Sequence, residues 1–195
     1  DGTGPAASFS GISILTLHSS GNIYLTDNYK IRKVTSAGVV TTLAGSSSPY
    51  DKDGAGSFAR FGYILAIAMD NLGNIYLADL SNYKIRKITP AGVVSTLAGS
   101  GIPGSSDGIG AAASFGVNMS GLAIDSSGNI YVADSTKIRK VSPTGEVTTL
   151  AGSEVWGSID GTGSAATFSS LSSLTIDSSG NIYIADGYKI RKVTS

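Results

Sequence analysis

Gly21-Asn22-Ile23-Tyr24-Leu25-Thr26-Asp27, followed after two residues by Lys30-Ile31-Arg32-Lys33-Val34, decides the fold, because the chain writes it four times. It returns as Gly73 to Asp79 with Lys84 to Ile88, and as Gly128 to Asp134 with Lys137 to Val141. The last copy is Gly180 to Asp186 with Lys189 to Val193. The Gly-Asn starts lie 52, 55 and 52 residues apart. Self-similarity at a period of that size is the mark of a repeat architecture.

Downstream of each Lys block, a turn with Gly38, Gly92 or Gly145 leads to Val39 to Gly45, Val93 to Gly99 or Val147 to Gly152. Upstream lies a short apolar strand: Ile14 to Leu17, Ala66 to Met69, Leu122 to Ile124, Leu174 to Ile176. Small residues alternate along it (Thr16, Ala68, Ala123, Thr175), which suits a crowded innermost strand. It ends in Asp-x-x-Gly-Asn at Asp70, Asp125 and Asp177, with His18 in the first copy. Asp and Asn bond their own turn backbone and Gly supplies positive φ, so this is a hairpin.

Further upstream each copy opens on Asp-Gly-x-Gly with a Phe eight residues after the Asp: Asp1 and Phe9, Asp53 and Phe61, Asp107 and Phe115, Asp160 and Phe168. The Phe is expected to plug the space between neighbouring repeats. The Gly-rich turn is not a P-loop, because no Gly-Lys-Ser/Thr follows. One repeat therefore reads as four short antiparallel strands with both faces largely apolar, and no segment carries a capped helical period. Such a sheet is a propeller blade, since stacking against the next blade buries each face. The expected fold is all-β, a β-propeller or propeller segment. It spans 1–195 as one unit, with blades at 1–52, 53–106, 107–159 and 160–195, the last without its outer strand.

The 195 residues are 41% apolar, with mean hydropathy +0.15 and no net formal charge. Neutrality argues against nucleic acid or an anionic membrane as partner. No apolar run is long enough to span a bilayer. Twelve of the fourteen Lys and Arg lie in the four Lys-x-Arg-Lys blocks, and eleven of the fourteen acids at three repeated positions, so charge belongs mostly to the fold. There is no Cys, and no initiator Met or signal peptide opens the chain, which reads as an excised or processed piece. Asn118-Met119-Ser120 is a formal glycosylation sequon.

These residues resemble the NHL-repeat family. The resemblance rests on Asp-Gly-x-Gly-x-x-Ala-x-Phe, Leu-x-Ile-Asp-Ser-Ser-Gly-Asn-Ile-Tyr-x-Ala-Asp, Lys-Ile-Arg-Lys-Val and Val-Thr-Thr-Leu-Ala-Gly, and covers nearly the whole chain. It implies a β-propeller, often six-bladed, that mostly serves as a binding platform. A minority of the family resemble lyases or esterase-like hydrolases with a channel metal. The chain departs from the pattern where Pro-x-Gly usually precedes the inner strand, and where the fourth outer strand is expected. Blade four is thus expected to expose the edge of Lys189 to Val193, and the chain to need further blades of a parent or other copies of itself.

Four repeated pairs are expected to be structural ion pairs: Asp27 with Arg32, Asp79 with Arg86, Asp134 with Arg139, Asp186 with Arg191. A bidentate Arg–carboxylate contact in every copy locks register. A catalytic carboxylate pair is the alternative, weakened because every copy has the same residues. His18 is the single His, so a zinc site lacks its usual ligand set; a Ser-His-Asp triad would have to use the same His, and no Gly-x-Ser-x-Gly elbow accompanies it. Asp51-x-Asp53-Gly54 only partly matches a calcium loop. No metal or cofactor is expected.

Function is sought where the copies differ. The connections before each Asp-Gly carry Tyr50, Pro103 and Trp156, and the residues before the inner strand include Tyr63 and Asn118. Tyr29, Tyr83 and Tyr188 precede a Lys, with Thr136 in the third copy. Loops on a rigid frame, with Trp and Tyr as anchors, suit a binding surface. The expected function is a non-enzymatic scaffold for a protein or glycan, extracellular or on a cell surface. A structural assembly unit and a metal-dependent lyase or hydrolase are the rivals.

Overall fold

Strand and turn residues alternate as the repeat requires, and the computed structural model, which describes residues 1–194, is all-β. The first copy forms β1 (Gly2–Thr3), β2 (Ile12–Leu17), β3 (Ile23–Asp27), β4 (Lys30–Val34) and β5 (Val39–Gly45). The second forms β6 (Gly54–Ala55), β7 (Ile64–Met69), β8 (Ile75–Asp79), β9 (Lys84–Ile88) and β10 (Val93–Ala98). The third forms β11 (Gly108–Ile109), β12 (Met119–Ile124), β13 (Ile130–Asp134), β14 (Lys137–Val141) and β15 (Glu146–Gly152). The fourth forms β16 (Leu171–Ile176), β17 (Ile182–Asp186) and β18 (Lys189–Val193). Each copy is one antiparallel sheet of the propeller-blade type, and the fourth has three strands.

Two details were not legible from the repeat. In each of the first three sheets a two-residue strand from the Asp-Gly turn pairs with the outer strand, giving the order β1-β5-β4-β3-β2 and its equivalents. After each Asp-Gly the backbone also makes a single 3-10 turn, as at Gly56–Phe58 and Gly110–Ala112.

The inner hairpin shows why Asp-x-x-Gly-Asn recurs. Asp70 Oδ1 accepts the Leu72 and Asn74 amides at 3.0 and 2.8 Å, and Oδ2 accepts Asn74 Nδ2 and the Tyr76 hydroxyl at 2.8 and 3.2 Å. Gly73 takes φ +82° to close the turn. Burial, then the Asp70 charge, pushes the Tyr76 hydroxyl up to about 12. Asp125 and Asp177 repeat the arrangement. In the first copy His18 Nδ1 takes the role by accepting the Ser20 amide at 3.2 Å.

The chain divides into two compact units, Asp1–Thr96 and the residues from Leu97 onward. In the first, Ile31 and Ala44 of the first sheet pack against Phe61, Ile64, Ile67, Ile75 and Leu77 of the second. In the second unit, Ile138 and Ala151 of the third sheet pack against Phe168, Leu171, Leu174 and Ile184 of the fourth. A core therefore lies between the two sheets of each unit, with the repeated Phe in it. Gly45 (φ +91°) is what allows the approach: a Cβ there would collide with the Tyr29 carbonyl and press on the Phe61 ring. Gly45→Ala is expected to cost more than about 1 kcal/mol in chemical denaturation, since both φ and space forbid the methyl. Gly21→Ala, whose Cβ meets nothing within 4 Å, is the control for the φ contribution alone.

Candidate functional site

β4, β9, β14 and β18 bring their Arg under the Asp that ends β3, β8, β13 and β17 respectively. Arg32 Nη1 lies 2.5 Å from Asp27, and the distances are 2.9 Å for Arg86–Asp79, Arg139–Asp134 and Arg191–Asp186. The four carboxylates are buried. Each also accepts backbone amides from the segment entering the inner strand: Ser10 and Gly11 on Asp27, Gly62 on Asp79, Gly116 on Asp134, Ser169 and Ser170 on Asp186. The pair thus joins three segments of its own sheet. Burial pushes Asp79 up against Asn82 and Arg86, and Asp134 up to about 6 against the Gly116 amide and Arg139. At Asp27 and Asp186 burial acts in the same direction but is outweighed by amide donors and the Arg, so both are held below the usual carboxylate range.

A third member of this cluster was missed in the sequence. The Asp of Asp-Gly-x-Gly caps the same Arg from the other side: Asp53 on Arg86 at 2.6 Å, Asp107 on Arg139 at 2.8 Å, Asp160 on Arg191 at 2.6 Å. Asp1 lies 3.0 Å from Arg32 Nη2 without hydrogen-bond alignment. The signal was its fixed spacing to the Phe, whose ring the Arg overlies at 4.9–5.6 Å. Asp51 is likewise engaged, by Lys84 and by Arg86 at 3.2 Å. Among the described residues no three His, Cys, Asp or Glu side chains converge on a point where a metal would sit.

The variable residues gather at the end of each sheet that carries this Asp. In the first unit, Tyr50 donates its amide to the Phe61 carbonyl at 3.2 Å, and its own carbonyl accepts Asn82 Nδ2. The Tyr63 carbonyl accepts the Leu80 amide, and Tyr83 takes φ 52° at the head of β9. Tyr29 occupies the corresponding turn before β4 and lines a small cleft with Ser10, Asn28 and Ser46. Tyr50 and Tyr63 are exposed; Tyr29 and Tyr83 are half-buried. In the second unit Trp156 is 72% exposed, with its indole N–H donated to the Ser169 carbonyl, and Tyr188 projects fully into solvent. A cleft of about 310 Å³ on the third sheet is lined by Pro103, Ser105, Val117, Thr136, Lys137 and Glu154, with Asp134 at its margin. Asn118 is half-buried beside it, and its carbonyl accepts the Ser135 amide at 2.7 Å.

No family model matches the chain. It is 40% identical over 86 residues to the Protein SUPPRESSOR OF QUENCHING 1, chloroplastic, of Arabidopsis thaliana, a stretch that makes up 44% of this chain and 8% of that protein. Among solved structures it is similar to a protein of unknown function from Bacteroides thetaiotaomicron, with TM-score 0.75 and 26% identity over 93% of this chain and 46% of the other. An auxiliary nutrient binding protein from Bacteroides ovatus gives 0.72 and 22% over 94% and 48%. Virginiamycin B lyase from Staphylococcus aureus gives 0.65 and 16% over 95% and 53%. The chain thus spans about half the length of these solved structures and a small part of the curated relative. The likenesses below 25% identity speak for the fold alone, and with the four sheets they make this a β-propeller-type protein.

Proposed function

We propose that the protein is a non-enzymatic NHL-like propeller scaffold whose variable loops, displayed outside the cell, bind a protein or a glycan. One observation carries this reading. In each unit aromatic residues outside the repeat pattern stand exposed at the Asp-bearing end of rigid sheets, as Tyr50 and Tyr63 do in one and Trp156 does in the other. The repeated carboxylates, by contrast, are taken up by Arg and backbone amides. An aromatic-rich loop surface suits sugar rings or an apolar protein patch.

A glycan and protein-binding screen followed by Trp156→Ala tests it. The expected result is an affinity loss of roughly thirty-fold, about 2 kcal/mol, as for an interface anchor. Melting should hardly change, since the indole is mostly solvated. Unaltered binding in this variant and in Tyr50→Ala and Tyr63→Ala would refute the reading. Elemental analysis of the purified native protein is expected to show no stoichiometric zinc or iron, and finding either would overturn the non-enzymatic part.

A structural assembly role is favoured by one separate feature. Ile12, Leu15 and Leu17 of the first sheet are exposed, whereas their counterparts Ile64 and Ile67 are buried and Met69 half-buried within the first unit. Light scattering that shows self-association competed by Leu15→Glu and Leu17→Glu would support that role, and an unchanged association state would count against it.

A further inference from the structure

The four buried Asp do not have the same partners. Beside its Arg, Asp27 accepts the Ser10 and Gly11 amides, and Asp186 accepts the Ser169 and Ser170 amides and the Ser169 hydroxyl. Asp79 accepts the Gly62 amide and the Asn82 side chain. Asp134 accepts the Gly116 amide at 2.7 Å and, among the described residues, no other donor beyond Arg139. It is 2% exposed and forms the inner margin of the cleft of about 310 Å³ on the third sheet.

The second sheet shows what fits there. Tyr50 and Gly104 hold the same place in their loops, since each donates its amide to the carbonyl of the repeated Phe. Between β8 and β9 the chain runs through four residues, Leu80 to Tyr83, and Asn82 bridges the two walls. Its Nδ2 donates to the Tyr50 carbonyl at 3.2 Å and to the two Asp79 oxygens at 3.0 and 2.9 Å. Between β13 and β14 there are only Ser135 and Thr136, so no such amide is supplied. Gly104 and Asp134 both line the cleft, and among the described residues nothing donates to the Gly104 carbonyl. The cleft is the place that an NH₂ group fills in the second sheet, left open by a shorter turn.

Its charge favours a cation. Asp134, Asp107 and Glu154 stand against Arg139 and Lys137, three acids to two bases. Glu154 meets Lys137 at 2.5 Å and Ser105 at 2.6 Å through the one oxygen Oε1, which leaves Oε2 as an acceptor near the mouth. Pro103 and Val117 give the cleft an apolar wall.

We infer that this cleft binds a primary ammonium group on a short aliphatic chain, supplied by a free amine or by the lysine side chain of a protein partner. The ammonium donates to the Gly104 carbonyl and the Asp134 carboxylate, as Asn82 does to their counterparts, and the aliphatic chain lies along Pro103 and Val117. The site does not rest on the exposed aromatic residues, and would stand if Trp156→Ala left the binding of other ligands unaltered.

The probe is butylammonium chloride, titrated into the intact chain and followed by amide NMR shifts. Saturable shifts are expected at Gly104, Gly116 and 134–137, with a dissociation constant of roughly 1–10 mM, as so small a ligand can reach. Butyltrimethylammonium carries the charge without the N–H donors and should bind at least ten-fold more weakly. Exchanging Ser135-Thr136 for Leu-Ser-Asn-Tyr, the turn of the second sheet, should fill the cleft from within and abolish binding, with a melting curve that stays cooperative. Glu154→Gln removes the excess charge at an exposed side chain and should weaken butylammonium at least three-fold, a test that holds even if the exchanged turn does not fold. Nα-acetyl-lysine methylamide separates the two sources: tighter binding than butylammonium assigns the site to a protein's lysine, weaker binding to a free amine. The inference is overturned if butylammonium gives no saturable shift, if the shifts fall outside the cleft, if butyltrimethylammonium binds equally well, or if neither variant changes the affinity.

Discussion

Arg86→Ala should destabilise the chain by about 3–5 kcal/mol, a fall of roughly 10 °C in melting temperature. Arg86 is fully buried and meets Asp79, itself fully buried, at 2.9 Å. It also holds Asp53 at 2.6 Å and Asp51 at 3.2 Å, and its guanidinium lies 5.4 Å from the Phe61 ring centre. Truncation would leave the Asp79 charge with only the Gly62 amide and the Asn82 side chain as partners. The large effect comes from that uncompensated charge; it does not measure the net worth of the pair. Asp79→Asn combined with Arg86→Ala should therefore recover part of the loss, because the buried charge is gone. The same truncation at Arg191 should cost less, since its second carboxylate, Asp160, is almost fully solvated. Equal losses at the two positions, or a melting temperature unmoved by Arg86→Ala, would sink the structural reading of these pairs.

The sequence already carried the blade, because hairpin chemistry and strand alternation are local and were repeated. Asp70, Gly73 and Asn74 act within one turn, so their roles follow from spacing. Asp79 and Arg86 were also legible, since adjacent strands joined by a short turn bring them together. Asp53 was not. It reaches Arg86 only because the Asp-Gly strand crosses the sheet edge to pair with β10, a contact over more than thirty residues that no local pattern encodes.

The variable loops were the least readable part. Lys84 and Lys137 occupy one repeat position, yet Lys84 takes its acid, Asp51, from the loop before its sheet, and Lys137 takes Glu154 from the loop after. These loops have the same length, seven residues each at 46–52 and 153–159, but carry their acids at different positions, so the repeat does not tell which Lys each acid meets. The positive φ of Tyr83 belongs to the same class, as a bulky residue gives no warning of the left-handed region. Candidate binding residues could therefore be named from the sequence, whereas their grouping at one end of each sheet needed the strand register.

Phe61→Ala should cost about 3–5 kcal/mol, whereas Phe9→Ala should cost about 1 kcal/mol, although both residues fill the same place in the repeat. Phe61 is fully buried in the core of the first unit, with Ile31 and Ala44 of the first sheet and Ala59, Ile64 and Leu77 of the second. Its removal leaves a cavity walled by two hydrogen-bonded sheets, which cannot collapse without breaking their ladders. Phe9 is 39% exposed and keeps chiefly its contact with Arg32, 5.2 Å from the ring centre. Side chain, local sequence and Arg partner are matched, so the comparison isolates the effect of having a second sheet against the ring. Urea denaturation of the two variants measures it, with Phe61→Leu as a check that lost volume rather than lost aromaticity dominates. If the two alanine variants lost the same stability, the Phe would act mainly through the Arg it touches, and the cores between sheets would contribute less to stability than their burial implies.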